Sequence, residues 1–225
     1  MTRSVLPVLT GFWFKGVTEY LEDLVARIDA PRLNCLQITF FNDIVFNMPQ
    51  FMQFFSRTPK SRALEKAVII LQNRDARVNF SSRTYGDGGI FVEILCHGLE
   101  WQVSSLEQVC NSCLPPLSML EDLYIYDHPY WQPDWKDDVE NGLWLQLLHP
   151  FTSVKNLYLY EESVLRIGRA LQELAEGRTT EVLPALQNIF LKGLQPSGPV
   201  QEGIRQFAAS RQATGRPITV SHDSD

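Results

Sequence analysis

The chain has 225 residues, 44% of them hydrophobic, enough to bury one large core or two small ones. Its net charge of −6 argues against nucleic acid or an anionic membrane surface as the main ligand. It contains no run of eighteen apolar residues, so no transmembrane helix is expected.

The first residues, MTRSVLPVLTGFWF, resemble a signal peptide only in part. They carry one basic residue and a short apolar run but no small-x-small cleavage site, so they read as folded chain. From here on one pattern recurs. LPVLTGFWF gives Leu9, Phe12 and Phe14, and APRLNCLQI gives Leu33, Leu36 and Ile38. SRALEKAVI gives Leu64, Ala67 and Ile69, and LSMLEDLYI gives Leu120, Leu123 and Ile125. FTSVKNLYL gives Val154, Leu157 and Leu159, and LPALQNIFL gives Leu186, Ile189 and Leu191. Each reads L-x-x-L-x-L with conservative swaps. The units start at 9, 33, 64, 120, 154 and 186, so one step is about twice the others. GIFVEILC (Gly89–Cys96), inside that long step, is strand-like and fills the missing unit out of pattern. Self-similarity at this period signals a solenoid, and this motif places a turn and then a strand in each unit.

Helical patterns separate the strands. VTEYLEDLVARI puts Val17, Tyr20, Leu21, Leu24, Val25 and Ile28 on one face. MPQFMQFFSRT offers Pro49 as a first helical residue. Leu99–Cys110 and DVENGLWLQLLH are two more candidates. SVLRIGRALQELAEG is expected to open at an N-cap, Ser163, and to stop at Gly177. SGPVQEGIRQFAASR starts a helix near Pro199. Alternating strands and helices predict an α/β fold with parallel strands on the concave side and helices on the convex side. The runs KAVIILQ, ARVNFSS and GIFVEILC lie close together and predict a β-hairpin excursion from the solenoid near 66–96. GDGG, Gly86–Gly89, reads as a hairpin turn. One domain is expected over 1–221, ending in a strand at Pro217–Ser221, with 222–225 a frayed polar tail.

The longest matching stretches are FWFKGVTEYLEDLVARIDAPRLNCLQITFFN, SLEQVCNSCLPPLSMLEDLYIYD, LWLQLLHPFTSVKNLYLYEE and GRTTEVLPALQNIFLKGLQPSGPVQEGIRQF. Together they resemble the C-terminal leucine-rich part of fungal (basidiomycete) F-box-like proteins. The resemblance implies a part that recruits targets to a cullin ubiquitin ligase, with ubiquitin transfer on other subunits and no catalytic residues of its own. The segment before Leu6 is too short for an F-box, so the resemblance covers the recruiting half and argues against direct docking to the Skp adaptor.

Inside the motif the apolar residues face the core, and the residues between them face the concave side. The fifth position is Trp13, Gln37, Val68, Tyr124, Tyr158 and Phe190, and two further on come Lys15, Thr39, Ile70, Tyr126, Tyr160 and Lys192. An aromatic stripe from Trp13 to Phe190 is therefore expected across the sheet. It serves either as an interface for a protein partner or as a ladder that steadies the strands. A second candidate is the loop 126–144, with Tyr130, Trp131 and Trp135 among prolines and acids. The four cysteines are too few for a disulfide framework. Cys110 and Cys113 lack the second ligand pair that zinc needs, so reduced thiols and an intracellular protein are expected. No nucleotide, hydrolase or metalloprotease motif is present, and no cofactor, metal or catalytic residue is expected. A non-catalytic interaction module is the leading reading. A degenerate fragment without a partner and an enzyme of unrecognised type are its alternatives.

Overall fold

The computed structural model of the chain describes residues 3–41, 46–58, 64–82, 88–113, 117, 119–127, 139–175, 182–193 and 199–223. In chain order its elements are β1 (Ser4–Val5), β2 (Gly11–Gly16), α1 (Thr18–Val25), β3 (Ile28–Asp29), β4 (Cys35–Phe41) and α2 (Pro49–Ser56). Then come β5 (Lys66–Leu71), β6 (Asp75–Ser81), β7 (Gly89–Leu95), α3 (Leu99–Gln108) and β8 (Asp122–Asp127). The chain ends with α4 (Asn141–Leu148), β9 (Asn156–Glu161), α5 (Glu162–Ala175), β10 (Asn188–Lys192), α6 (Pro199–Ala213) and β11 (Thr219–Asp223). This is a mixed α/β fold. Nine strands form one open sheet in the order β11-β10-β9-β8-β5-β6-β7-β4-β2, and β1 and β3 pair separately.

The repeat sets the register. Leu123 lies opposite Ala67 and Leu157, and Leu157 opposite Ile189. Phe12 lies opposite Leu36, and Leu36 opposite Ile90 of β7. Equivalent motif residues are therefore cross-strand neighbours, and from Leu33 to Leu191 all of them are buried. The motif strands β4, β8, β9 and β10 are entered the same way. The first motif residue closes a four-residue turn, its N–H donating to the carbonyl three back: Leu33 to Ala30, Leu120 to Leu117, Val154 to Phe151 and Leu186 to Leu183. The carbonyl just ahead of the neighbouring strand then accepts two N–H groups, as Glu65 does from Glu121 and Asp122, and Glu121 from Lys155 and Asn156. This paired bond satisfies backbone groups that would otherwise be orphaned between turn and strand.

All helices lie on one face of the sheet, stacked in chain order: α1 on α2, α3 on α4, α4 on α5, α5 on α6. Each buries one stripe, such as Phe51, Phe54 and Phe55 of α2. The α2 N-terminus has no side-chain cap of its own. Glu22 of α1 fills that role, accepting from Gln50 N–H at 2.9 Å and Phe51 N–H at 2.7 Å. At the other end, the buried Arg211 donates to the carbonyls of Leu183 and Pro184 at 3.2 and 3.1 Å. It holds Leu183 at a φ of 49°, a left-handed conformation that a leucine adopts only under constraint.

Four expectations change. The strands near 66–96 are not an excursion but sit inside the sheet: β5 pairs with β8, β7 pairs with β4, and β6 runs antiparallel between β5 and β7. A protruding hairpin would leave two unpaired edges, and weaving it in leaves none there. Gly88 makes this possible. Its φ is 71°, and a Cβ there would stand 2.2 Å from the Asn34 carbonyl oxygen, so only glycine lets β7 dock on β4. Ser163 is not an N-cap. It is buried in the first turn of α5, accepts from Tyr160 N–H at 2.9 Å, and its hydroxyl lies 3.0 Å from the Ile125 carbonyl and 2.7 Å from that of Tyr160. Tyr20 and Leu24 do not face the core: α1 lies at the sheet's end, no helix lies beyond it among the described residues, and Tyr20 is 72% exposed. The tail is shorter than expected, since His222 and Asp223 pair with Leu191 and Lys192. Gly177 lies outside the described residues.

Candidate functional site

Helices cover one face of the sheet, and the other face is open. Alternation puts the even-numbered residues of β8, β9 and β10 there. Because neighbouring strands share one register, like residues fall side by side. Tyr124 stacks on Tyr158, centroids 4.1 Å apart and planes 2° from parallel, and Tyr158 stacks on Phe190 at 4.5 Å. One step along the strands, Tyr126 stacks on Tyr160 at 4.0 Å. Five rings in two rows thus form a platform. The rings stand on edge, with their faces turned to one another, and present their edges and hydroxyls outward. Lys66 closes the first row, its Nζ 4.1 Å from the Tyr124 centroid, and Lys192 Nζ lies 5.7 Å from that of Tyr160.

The hydroxyls are ordered too. The Tyr124 phenol is held above its ordinary pKa, chiefly by burial and next by its hydrogen bond to Tyr158, and Tyr126 likewise by burial and its bond to Tyr160. A bond that raises a phenol's pKa is one in which that phenol donates. Hydroxyl contacts thus run along both rows beside the stacked rings, Tyr124 with Tyr158 and Tyr126 with Tyr160. Beneath the first row, Asn188 Nδ2 donates to Asn156 Oδ1 at 2.8 Å and Asn156 Nδ2 to Asp122 Oδ1 at 2.7 Å. Lys155 Nζ meets Glu121 at 2.6 Å beside them.

The stripe does not run on to Trp13. Along the first row the order is Trp13, Gln37, Phe91, Asn79, Val68, Tyr124, Tyr158, Phe190, Ser221. The inserted β6 and β7 put Asn79 and Phe91 in the gap, and Trp13 stands five strands from Tyr124, about 24 Å at the usual spacing. In the second row Ile70, Arg77, Glu93 and Thr39 take this region. Arg77 bridges Asp75 at 2.8 Å and Glu93 at 2.9 Å, and the buried Thr39 donates to Glu93 at 2.9 Å. Tyr130, Trp131 and Trp135 lie outside the described residues.

Reading the sequence alone missed Lys66 and the Asp122–Asn156–Asn188 ladder. The signal was present: the third motif position is Asp, Asn, Asn in the last three units, just ahead of Leu123, Leu157 and Ile189. A cleft of about 550 Å³ also opens on the helix side between α4 and α5, lined by Val139, Glu140, Trp144, Arg166, Arg169 and Glu173. Arg166 of α5 pairs with the buried Asp127 of β8 at 2.9 Å, tying the helix to the sheet, and Asn141 of α4 hydrogen-bonds to Glu173 of α5, joining the two helices. Among the described residues, no three His, Cys, Asp or Glu converge as metal ligands, and no helix is long and apolar enough to cross a membrane. Comparison with protein-family models, curated proteins and solved structures finds no match.

Proposed function

We propose that this chain is a non-catalytic interaction module that binds an extended, acidic protein segment on the aromatic half of its open sheet face. The observation that carries this reading is the five-ring platform on the open face, with its ring edges and hydroxyls and the Lys66 ammonium against the Tyr124 ring. Ring edges, hydroxyl protons and ammonium groups are all electropositive, so the platform complements carboxylates and backbone carbonyls. Tyrosines supply wide contact area with a polar tip and few torsions to freeze, which suits them as anchors. The recurring turn, strand and helix support a leucine-rich solenoid, and the resemblance to F-box-like proteins gives the partner a role as an intracellular target presented for ubiquitination. Selection of peptides from a random display library, followed by calorimetry, tests this. Enriched peptides are expected to be rich in Asp and Glu and to bind Tyr158→Ala and Lys66→Glu at least tenfold more weakly. Enrichment without acidic residues, or unchanged affinity for both variants, overturns it.

A further inference from the structure

The two edges of the sheet are built differently. At the β11 edge the exposed strand residues are Thr219 and His222, and the outward positions of α6 carry Glu202, Arg205, Gln206 and Gln212. That outer face is polar. The β2 edge is apolar. Trp13 is 67% exposed, and Phe12 and Phe14 are only partly buried, although their counterparts in β4 and β7 are covered. Beside them α1 exposes Tyr20 and Leu24. The backbone is open as well. The Thr10 carbonyl accepts from Asn34 and Cys35, so by strand alternation the even-numbered residues of β2 bond to β4, and Gly11, Trp13 and Lys15 turn their N–H and C=O groups to the free edge. The Trp13 ring lies back over Gly11, where a Cβ would come within 2.2 Å of it, so it does not screen that edge.

We propose that two copies of this chain pair through β2, antiparallel, about a two-fold axis at Phe14. The strand is self-complementary in this register. Trp13 of each copy falls opposite the partner's Lys15 on the open face, and that ammonium, 5.3 Å from the Phe41 centroid within its own chain, turns to the partner's Trp13 to make a cation–π pair twice. Phe14, whose ring lies over Gly16, meets its own copy on the helix face, and the partner's Phe12 falls opposite that Gly16 and packs against the Phe14 ring. The outward-turned backbone groups of Trp13 and Lys15 bond to each other, as an antiparallel pair requires. The axis also brings the exposed Tyr20 and Leu24 of both α1 helices together, so apolar surface is removed from water on both sides of the new ladder. The result is one continuous sheet whose two open faces point the same way.

Sedimentation velocity on the full chain tests this, with thermal melting by circular dichroism as the check on folding. At roughly 50 µM the wild-type chain is expected to sediment at twice the chain mass. Trp13→Lys sets Lys against Lys and is expected to weaken association at least tenfold, as is Lys15→Glu, which leaves the ring over Gly11 untouched. The double variant Trp13→Lys with Lys15→Glu places Lys opposite Glu twice and is expected to restore the dimer. A monomeric wild type at that concentration, single variants that associate as tightly as wild type, or a double variant no tighter than the singles overturns the proposal.

Discussion

The same backbone carries two unlike surfaces on the open face of this sheet. From β8 to β10 each strand belongs to an ordinary unit in an unbroken register, so Tyr124, Tyr158 and Phe190 come together because they hold the same motif position. Across β4, β7 and β6 the register is kept, but the third strand is antiparallel and comes from outside the pattern. There the neighbours differ in kind, and what forms is the ion network of Asp75, Arg77, Glu93 and Thr39. Repetition places like beside like, which suits stacking rings and is poor for charges. Insertion places unlike beside unlike, which suits charges.

The contrast can be broken most forcefully at one row. Tyr158 is sandwiched between two rings, and its change to Ala is expected to cost about 1–3 kcal/mol in urea unfolding, at roughly 0.5–1.5 kcal/mol for each aromatic pair. Asn79→Ala, in the same row but in the inserted strand, is expected to cost no more than about 0.5 kcal/mol. Equal losses would mean that the ring stack is no more than strand surface. Next in size is Arg77→Met, which leaves two carboxylates facing each other without their cation and is expected to cost about 1–2 kcal/mol. Restoring the loss by adding Glu93→Gln would confirm that the network acts as a unit.

The two halves are also expected to answer pH at opposite ends. The Tyr124 and Tyr126 phenols are raised in the folded state, so above the ordinary tyrosine range the unfolded chain loses protons that the folded chain keeps. Stability then falls as pH rises past about 10, and Tyr124→Phe flattens that fall. Asp75 is raised as well, by burial first, against the opposing pull of Arg77. As pH drops from neutral through its raised pKa, the folded state takes up the proton before the unfolded one does. Its contribution therefore grows toward acid, and Asp75→Asn removes that gain, which melting curves at pH 7 and pH 4 would register. A modest effect is expected at the amide ladder. Asn156→Ala opens both of its bonds on a half-exposed surface, at about 0.5–1.5 kcal/mol.

Much of the fold was legible because motif spacing and register are the same information. Equal motif positions meet across strands, so the alignment of the units holds in space for Phe12 with Leu36 as well as for Leu157 with Ile189. What could not be read is where the chain skips. The long step announced an extra strand, but whether β7 would lie beside β4 or project outward depends on Gly88 passing the Asn34 carbonyl, a contact between residues 54 apart. Periodicity is local and cannot report it. The aromatic positions were legible as a list and not as a stripe, since the gap between Trp13 and Tyr124 comes from that same insertion. Lys66 was overlooked because its packing on Tyr124 follows from the side-by-side pairing of β5 and β8 across most of the long step. Tyr20 and Leu24 misled in the other direction: their spacing is that of a buried stripe, and among the described residues no helix lies beyond α1 to bury them.

The woven strand also has a consequence for the order of assembly. When β4 leaves the ribosome its next neighbour in space does not yet exist. β5 takes a place three strands away, and the gap closes only when β7 has been made, nearly fifty residues later. A linear array can add coils one at a time, each resting on the last. Here β2 and β4 wait with one side unpaired until β6 and β7 fill the space between them and β5. Synthesis through this interval exposes the row of Leu36, Ile38 and Phe40, the stage at which a chaperone would find the chain and at which a stalled product would aggregate.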